Sequence, residues 1–263
     1  MPVNIFFNDV RIPDFIILKD IKIQLLGDVD NILTPSNYGS KHKKIKFGNK
    51  VIKLELSTIF EKGHLIEKED LNAIVKWIKG DDWKPSKLVL PEYEDEYYMA
   101  IVNNSGDVKN DIIEGIFTLE FLCLNPNRIS EEEEKYVFPF YLRQKPPQRT
   151  RNSNESNYCL IHYEGLANTY PNIKFTVTSR CYEIKLAIKN SKYDNYIRFK
   201  GDFNEGETIE INLRTKKVLR NGEINMPILT LDSRFHELIE GKNLYELQSG
   251  NTLVEIKYRN EYI

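Results

Sequence analysis

Apolar and polar positions alternate over short runs along most of this chain, and only one stretch recurs at helical spacing. Val3, Ile5 and Phe7 alternate with Asn4, Phe6 and Asn8, which predicts an opening strand ended by turn chemistry at Asn8-Asp9. Phe15–Leu18 and Ile21–Leu25 read as two further strands. Thr34 to Lys50 holds Pro35, Gly39 and Gly48 around a basic run and reads as a hairpin loop. Val51, Lys53, Glu55 and Ser57 alternate with Ile52, Leu54, Leu56 and Thr58, a long strand with one face toward water. Leu71, Ile74, Val75 and Ile78 then fall at i, i+3, i+4 and i+7 and predict a helix whose apolar face props the core. Acids at Glu67, Glu69 and Asp70 and bases at Lys76 and Lys79 suit the helix dipole. Gly80 suits the C′ position, and Pro85 forbids continuation. Lys87–Leu90, the acidic turn Pro91–Glu96 and Tyr97–Val102 read as a hairpin. Ile113 to Leu124 is the last strong strand of this half.

The pattern changes after Pro126. Glu131–Glu134, Pro146-Pro147 and Asn152–Asn157 are acidic, stiff and turn-rich in succession, and read as a linker or crossing segment. Within it Tyr136–Tyr141 is aromatic enough to pack on a domain or a neighbouring subunit. From Tyr158 short strands recur between Gly and Asn turns: Cys159–Tyr163, Ile173–Thr178, Tyr182–Ile188, Tyr196–Lys200, Thr208–Leu213, Lys217–Arg220 and Leu253–Tyr258. The division expected is a first domain over 1–130, a linker over 131–157 and a β-sandwich over 158–263. The fold class is mainly β, with one helix in the first half.

Charge adds little. Lys and Arg total 37 against 39 Asp and Glu, which gives no concentrated basic face of the kind nucleic acid requires. Apolar runs fall short of the roughly 18 residues a membrane span needs, and the basic-then-apolar start of a signal peptide is not seen. Cys123, Cys159 and Cys181 are widely spaced and form no CxxC pair, so reduced thiols in a protein made in the cytoplasm are expected.

Candidate chemistry is sparse. His42, His64, His162 and His236 share no ligand spacing, so isolated surface or loop histidines are expected, with no metal and no cofactor. Cys123 lies in a strand and reads as packing rather than nucleophile. No GxSxG and no phosphate-cradling loop occurs. Glu92, Glu94, Asp95 and Glu96 read as a solvated turn rather than a paired-carboxylate site. Lys41, His42, Lys43, Lys44 and Lys46 read as a solvated hairpin tip, the alternative being a basic surface facing DNA or an acidic partner. The chain is therefore expected not to be an enzyme.

The first half resembles the N-terminal domain of siphophage distal tail (Dit) proteins. The resemblance is carried by the strand ending Phe7-Asn8, the Asp14-Phe15 pair, the Pro/Gly hairpin loop before Val51 and the helix containing Trp77. It continues through the Tyr97-Tyr98 unit and Gly115–Phe121 before Asn125-Pro126. The second half is similar to the galectin-like C-terminal domain of the same proteins over Gly165–Ile173, Gly206–Ile211 and Lys217–Gly222. The resemblance implies a structural hub of a long-tailed phage's tail tip or baseplate, synthesised in the host cytoplasm. It implies a hexameric ring of first domains that joins the tail tube to the spike or fibre protein, with receptor-binding proteins carried at its periphery. No membrane and no sequence-specific nucleic acid is implied as a partner. The alternative is a carbohydrate-binding sandwich, but Trp77 and Trp83 both lie outside 158–263, and the galectin ligand motif is missing. Tyr193, Tyr196 and Phe199 are the aromatics left to stack a sugar. Partner-facing loops are expected around Lys43 and Lys44, and over Asn190–Asn195, Gly201–Gly206 and Arg234–Asn243, with Asn195 and Asn204 as candidates.

Overall fold

The computed structural model describes residues 4–36, 39–58, 68–80, 82–103, 116–139 and 157–263. It falls into two compact units, Met1–Glu131 and Glu132–Tyr262.

The first unit opens with β1 (Phe6–Phe7) and β2 (Val10–Arg11), an antiparallel pair joined by Asn8 and Asp9. Both turn residues have positive φ, 53° and 59°, as a two-residue hairpin turn matched to strand twist demands. β3 (Ile16–Ile23) joins the two runs that the sequence separates. A bulge between Leu18 and Asp20 absorbs the extra residue Lys19, so one strand continues where two were expected. β4 (Val29–Ser36) and β5 (Gly39–Phe47) form a two-stranded hairpin, so the expected loop is largely strand. β6 (Lys50–Thr58), α1 (Lys68–Lys79), β7 (Ser86–Val89), β8 (Glu96–Val102), β9 (Ile116–Cys123) and β10 (Arg128–Ser130) follow. The main sheet runs β2-β1-β7-β8-β9-β6-β3, with β10 against β8. The 104–115 segment and Glu67 lie outside the described residues.

Helix α1 closes one face of this sheet. Ile74 is fully buried and Trp77 is 1% exposed, while Leu71 and Ile78 pack partly buried against the same cluster. Val75 departs from the predicted apolar face: it is 49% exposed. The buried stripe runs 71, 74, 77 and 78, and the large Trp77 indole fills the inner face and turns Val75 outward. Trp77 stacks edge-on against Phe121 at 6.2 Å, and its Nε1 donates to the Val10 carbonyl at 3.1 Å. Burying a side chain such as Ile74 contributes about 1.5–3 kcal/mol. Gly80 takes φ +54°, and a Cβ there would lie 2.8 Å from Phe7 Cε1, so both backbone and packing require glycine.

The second unit comprises β11 (Glu134–Phe138), β12 (Tyr158–Tyr163), β13 (Asn172–Val177), β14 (Cys181–Lys189), β15 (Asp194–Phe203), β16 (Thr208–Asn212), β17 (Lys217–Arg220), β18 (Glu223–Ile224), β19 (Gly241–Ser249) and β20 (Thr252–Tyr258). A six-stranded sheet, β11-β20-β13-β16-β17-β18, faces a four-stranded one, β12-β19-β14-β15. Alternation puts Ile173, Phe175 and Val177 of one sheet and Ile184, Leu186 and Ile188 of the other into one core. Phe175 and Phe199 meet edge-on across it at 5.4 Å.

The segment expected as a linker begins as a strand of this sandwich. β11 pairs with β20 from Glu134↔Tyr258 to Phe138↔Val254; Phe138 is buried and Tyr136 stacks on Tyr258 at 6.0 Å. Pro146-Pro147 and residues 152–156 lie outside the described residues.

Candidate interaction surfaces

The second unit fixes its loops with carboxylates. Glu237 accepts hydrogen bonds from Tyr170 at 2.5 Å, Asn168 and Lys192 at 2.9 Å, and Tyr193 at 3.2 Å. Burial would raise its carboxyl, but these donors hold it below the usual range. The hydrogen bond to Glu237, with burial, pushes the Tyr170 phenol up to about 12. Asp232 is met by Tyr196 at 2.7 Å and by Arg198. Hydrogen bonds led by Thr230 and Tyr196 hold it well below the carboxylate range. Glu261, 4% exposed, takes Thr169 at 3.0 Å and Arg214, while its backbone N–H donates to the Tyr163 hydroxyl at 3.0 Å. These groups satisfy one another and hold the β-strand connections in place.

The same bonds hold two of the candidate aromatics in place. Tyr193 and Tyr196 are tied to Glu237 and Asp232, and Phe199 is fully buried in the core. Asn195 is a β15 residue paired with Ile188, not a loop residue, and Gly201–Phe203 complete the same strand. β15 outlasts the predicted Tyr196–Lys200 because Gly201 and Asp202 carry the alternation on to the buried Phe203. Asn204 does lie in a turn, where its carbonyl accepts from Glu207 N at 3.2 Å. The expected Arg234–Asn243 loop is in part structural. Asn243 is fully buried and bonds Ile239 and Gly241, because an amide can satisfy the backbone groups of the turn it crosses. Lys43 and Lys44 are on strand β5; Lys44 pairs with Ile32, and Lys43 falls at the bulge beside it.

His236 lies in a loop, as expected, but not at the surface. It is 1% exposed, and its Nε2 lies 3.0 Å from the Tyr245 hydroxyl. Burial pushes it down to about 4, so it is neutral at physiological pH. Its flanks, one apolar (Phe235) and one acidic (Glu237), form no local pattern that signals that it faces the core. Burial also pushes the Cys123 and Cys159 thiols up to about 12, which makes both inert packing groups. Of the acidic turn, Glu96 pairs with Arg128 at 3.1 Å and Glu94 accepts from Asn4 at 3.4 Å. Among the described residues no group of three or more His, Cys, Asp or Glu is placed to hold a metal. Among the same residues no helix is long and apolar enough to cross a membrane.

Two grooves stand open among the described residues. On the outer face of the six-stranded sheet a groove of about 580 Å³ is lined by Asn172, Lys174, Glu210, Asn212, Lys217 and Lys257. Lys174 and Glu210 pair within it at 2.8 Å, so it offers a balanced polar face. In the first unit a groove of about 540 Å³ has Phe6 and Val89 in its wall, with Asn4, Asp9, Glu94, Glu131 and Lys87 around them. Phe6 and Val89 face each other across β1 and β7.

Comparison with known proteins bears on the second unit in particular. Residues 164–262 match the siphovirus-type tail component, C-terminal domain. The matched residues span most of the second unit. The chain is similar to the crystal structure of SPP1 Dit, a hub of the adsorption apparatus in phages infecting Gram-positive bacteria. The TM-score is 0.69 at 12% identity, over 97% of this chain and 98% of that one, a likeness of fold. Chains of the phage p2 baseplate in its activated conformation also match at 12% identity. The one with Ca has a TM-score of 0.44 over 98% of both chains. The one with Sr has 0.43 over 95% of this chain and 92% of that one. No curated protein matches the chain.

Proposed function

We propose that this protein is the structural, non-enzymatic hub of a long-tailed phage's tail tip or baseplate. Its first units assemble into a hexameric ring that joins the tail tube to the spike or fibre protein. Its second units are platforms for receptor-binding or other baseplate proteins, recognised as protein surfaces rather than through sugar. The observation that carries the reading is the match of residues 164–262 to a siphovirus tail component. The platform reading is supported by the ring faces of Tyr193 and Tyr196, which already carry cations: Lys192 lies 4.9 Å from the Tyr193 ring centre, and Lys185 and Arg198 lie 4.2 Å and 5.8 Å from that of Tyr196. A sandwich face or loop end can supply the roughly 800 Å² per partner of a stable interface.

Gold-labelled antibody against the chain, imaged on intact particles, should decorate the tail tip. Label along the tube or at the head would contradict the hub reading. A glycan array should show no saturable binding by the intact chain; binding lost on Tyr196→Ala in a still-folded chain would make the second unit a receptor-binding module instead.

A further inference from the structure

Lys50 opens β6 on the face that packs the core of the first unit. Ile52, Leu54 and Leu56 follow it at alternate positions and are fully buried. Cys123 of β9 stands opposite Lys50, and Ala100 of β8 stands opposite Cys123. Lys50 is itself only 2% exposed. A lysine so enclosed is ordinarily paired, because an ammonium taken out of water without a counter-charge is strongly destabilising.

No such pairing is seen among the described residues. The Lys50 Nζ lies 5.6 Å from the centre of the Tyr98 ring, and no carboxylate or carbonyl takes a hydrogen bond from it. Burial pulls the ammonium below its usual range. The groups that act on it electrostatically are the Cys123 thiol, which burial keeps protonated, and the Arg128 guanidinium, which repels it. Glu96 is already engaged by Arg128 at 3.1 Å. Tyr98, two residues before Ala100 and 3% exposed, has a hydroxyl that is likewise without a hydrogen bond. Buried polar groups are nearly always bonded, so two unmet donors in neighbouring side chains call for a partner. Neither the Lys50 nitrogen nor the Tyr98 oxygen is sealed from the surface, as the Arg11 Nε is.

We propose that Lys50 and Tyr98 hold an oxyanion at this end of the core, a carboxylate or a phosphate. The ammonium supplies the charge and the hydroxyl a second donor. Bonds from such donors to an oxyanion are charge-assisted, and they strengthen where water is scarce. Arg128 adds to the positive field there. The anion comes either free from solution or as the acidic side chain of an adjoining protein molecule; the chemistry that recognises it is the same. Both donors belong to one chain, so the site stands whether or not rings form.

The test compares the full chain with Lys50→Met, an apolar side chain of similar length, and with Tyr98→Phe, which keeps the ring in the core. The probes are inorganic phosphate and acetate, titrated in Tris chloride by calorimetry and by thermal melting. The parent should bind at least one of them saturably and melt at least about 4 °C higher at saturation. Tyr98→Phe should bind about tenfold more weakly, and Lys50→Met should neither bind nor gain stability. If the anion is an adjoining molecule's side chain, folded Lys50→Met assembles more weakly than the parent, and phosphate weakens the parent's assembly but not the variant's. Either pattern supports the site, and the second names its source. Binding that Lys50→Met retains, or no saturable binding together with parental assembly by both variants, overturns it. Should Lys50→Met fail to fold, Tyr98→Phe decides: parental affinity and parental assembly in that variant overturn the site.

Discussion

The two units solve the same burial problem differently. In the second, two sheets cover each other, and the inner residues of both form one core of 24 buried side chains. In the first, α1 covers one face of a sheet, and the other face carries the Phe6–Val89 groove. The second unit also ties its connections with Glu237, Asp232, Asn243 and Glu261, whereas the first leaves Trp83 half exposed at a helix end. A sandwich that satisfies itself suits a platform whose surface can vary without disturbing the core. A sheet open on one side suits an element completed by its neighbours.

If the units are independent in stability, core changes should act on one transition at a time. Trp77→Ala and Phe138→Ala should each cost about 3–5 kcal/mol. Calorimetry should show the first lowering only the melting of the first unit, and the second only that of the second. A shared shift would make them one cooperative body. The same comparison predicts that a fragment 132–263 melts cooperatively and that 158–263, which lacks β11 and Phe138, is markedly less stable.

Acid should separate the units next. His236 is held near 4 in the folded second unit against an ordinary 6.5, so the unfolded chain binds the proton first. The stabilisation is complete above about pH 6.5 and is lost as pH falls toward 4, by about 3 kcal/mol in all. The second unit's melting temperature should fall over that window, and His236→Gln should flatten the dependence. A pH-independent midpoint in the parent would show that His236 is not buried neutral.

The helix gives a finer contrast. Ile74→Ala should cost about 2–5 kcal/mol, but Val75→Ala no more than about 0.5 kcal/mol, as urea titration of the first unit would measure. The exposed Arg180–Asp202 pair, 2.6 Å apart, should be near silent too: Arg180→Ala within about 0.5 kcal/mol. In native protein a thiol reagent should label Cys181 first, and Cys123 and Cys159 only as the units open.

The same residues show how far the sequence reaches. Alternation located β6, β8, β13 and β14 because each has a buried face that the pattern must serve. The period of Leu71, Ile74 and Ile78 located α1, but misassigned Val75, because spacing cannot say which flank of a stripe a large neighbour such as Trp77 will occupy. Turn chemistry located Asn8-Asp9 and Gly80. What stayed illegible depends on long-range partners. β11 is strand only because β20 pairs with it. Asn195 and Asn243 look like loop residues until Ile188 and the Ile239–Gly241 backbone claim them. Glu237 gathers donors more than forty residues away in sequence, a meeting no local pattern announces.

In the proposed hub the first unit closes into a hexameric ring with the second units as its platforms. Light scattering of the purified full chain, with electron microscopy of the same peak, tests it directly. The species expected has about six times the chain's 30.9 kDa, a closed six-fold outline and a central opening. A monomer at all concentrations, or an oligomer that the isolated 132–263 fragment reproduces, would contradict it.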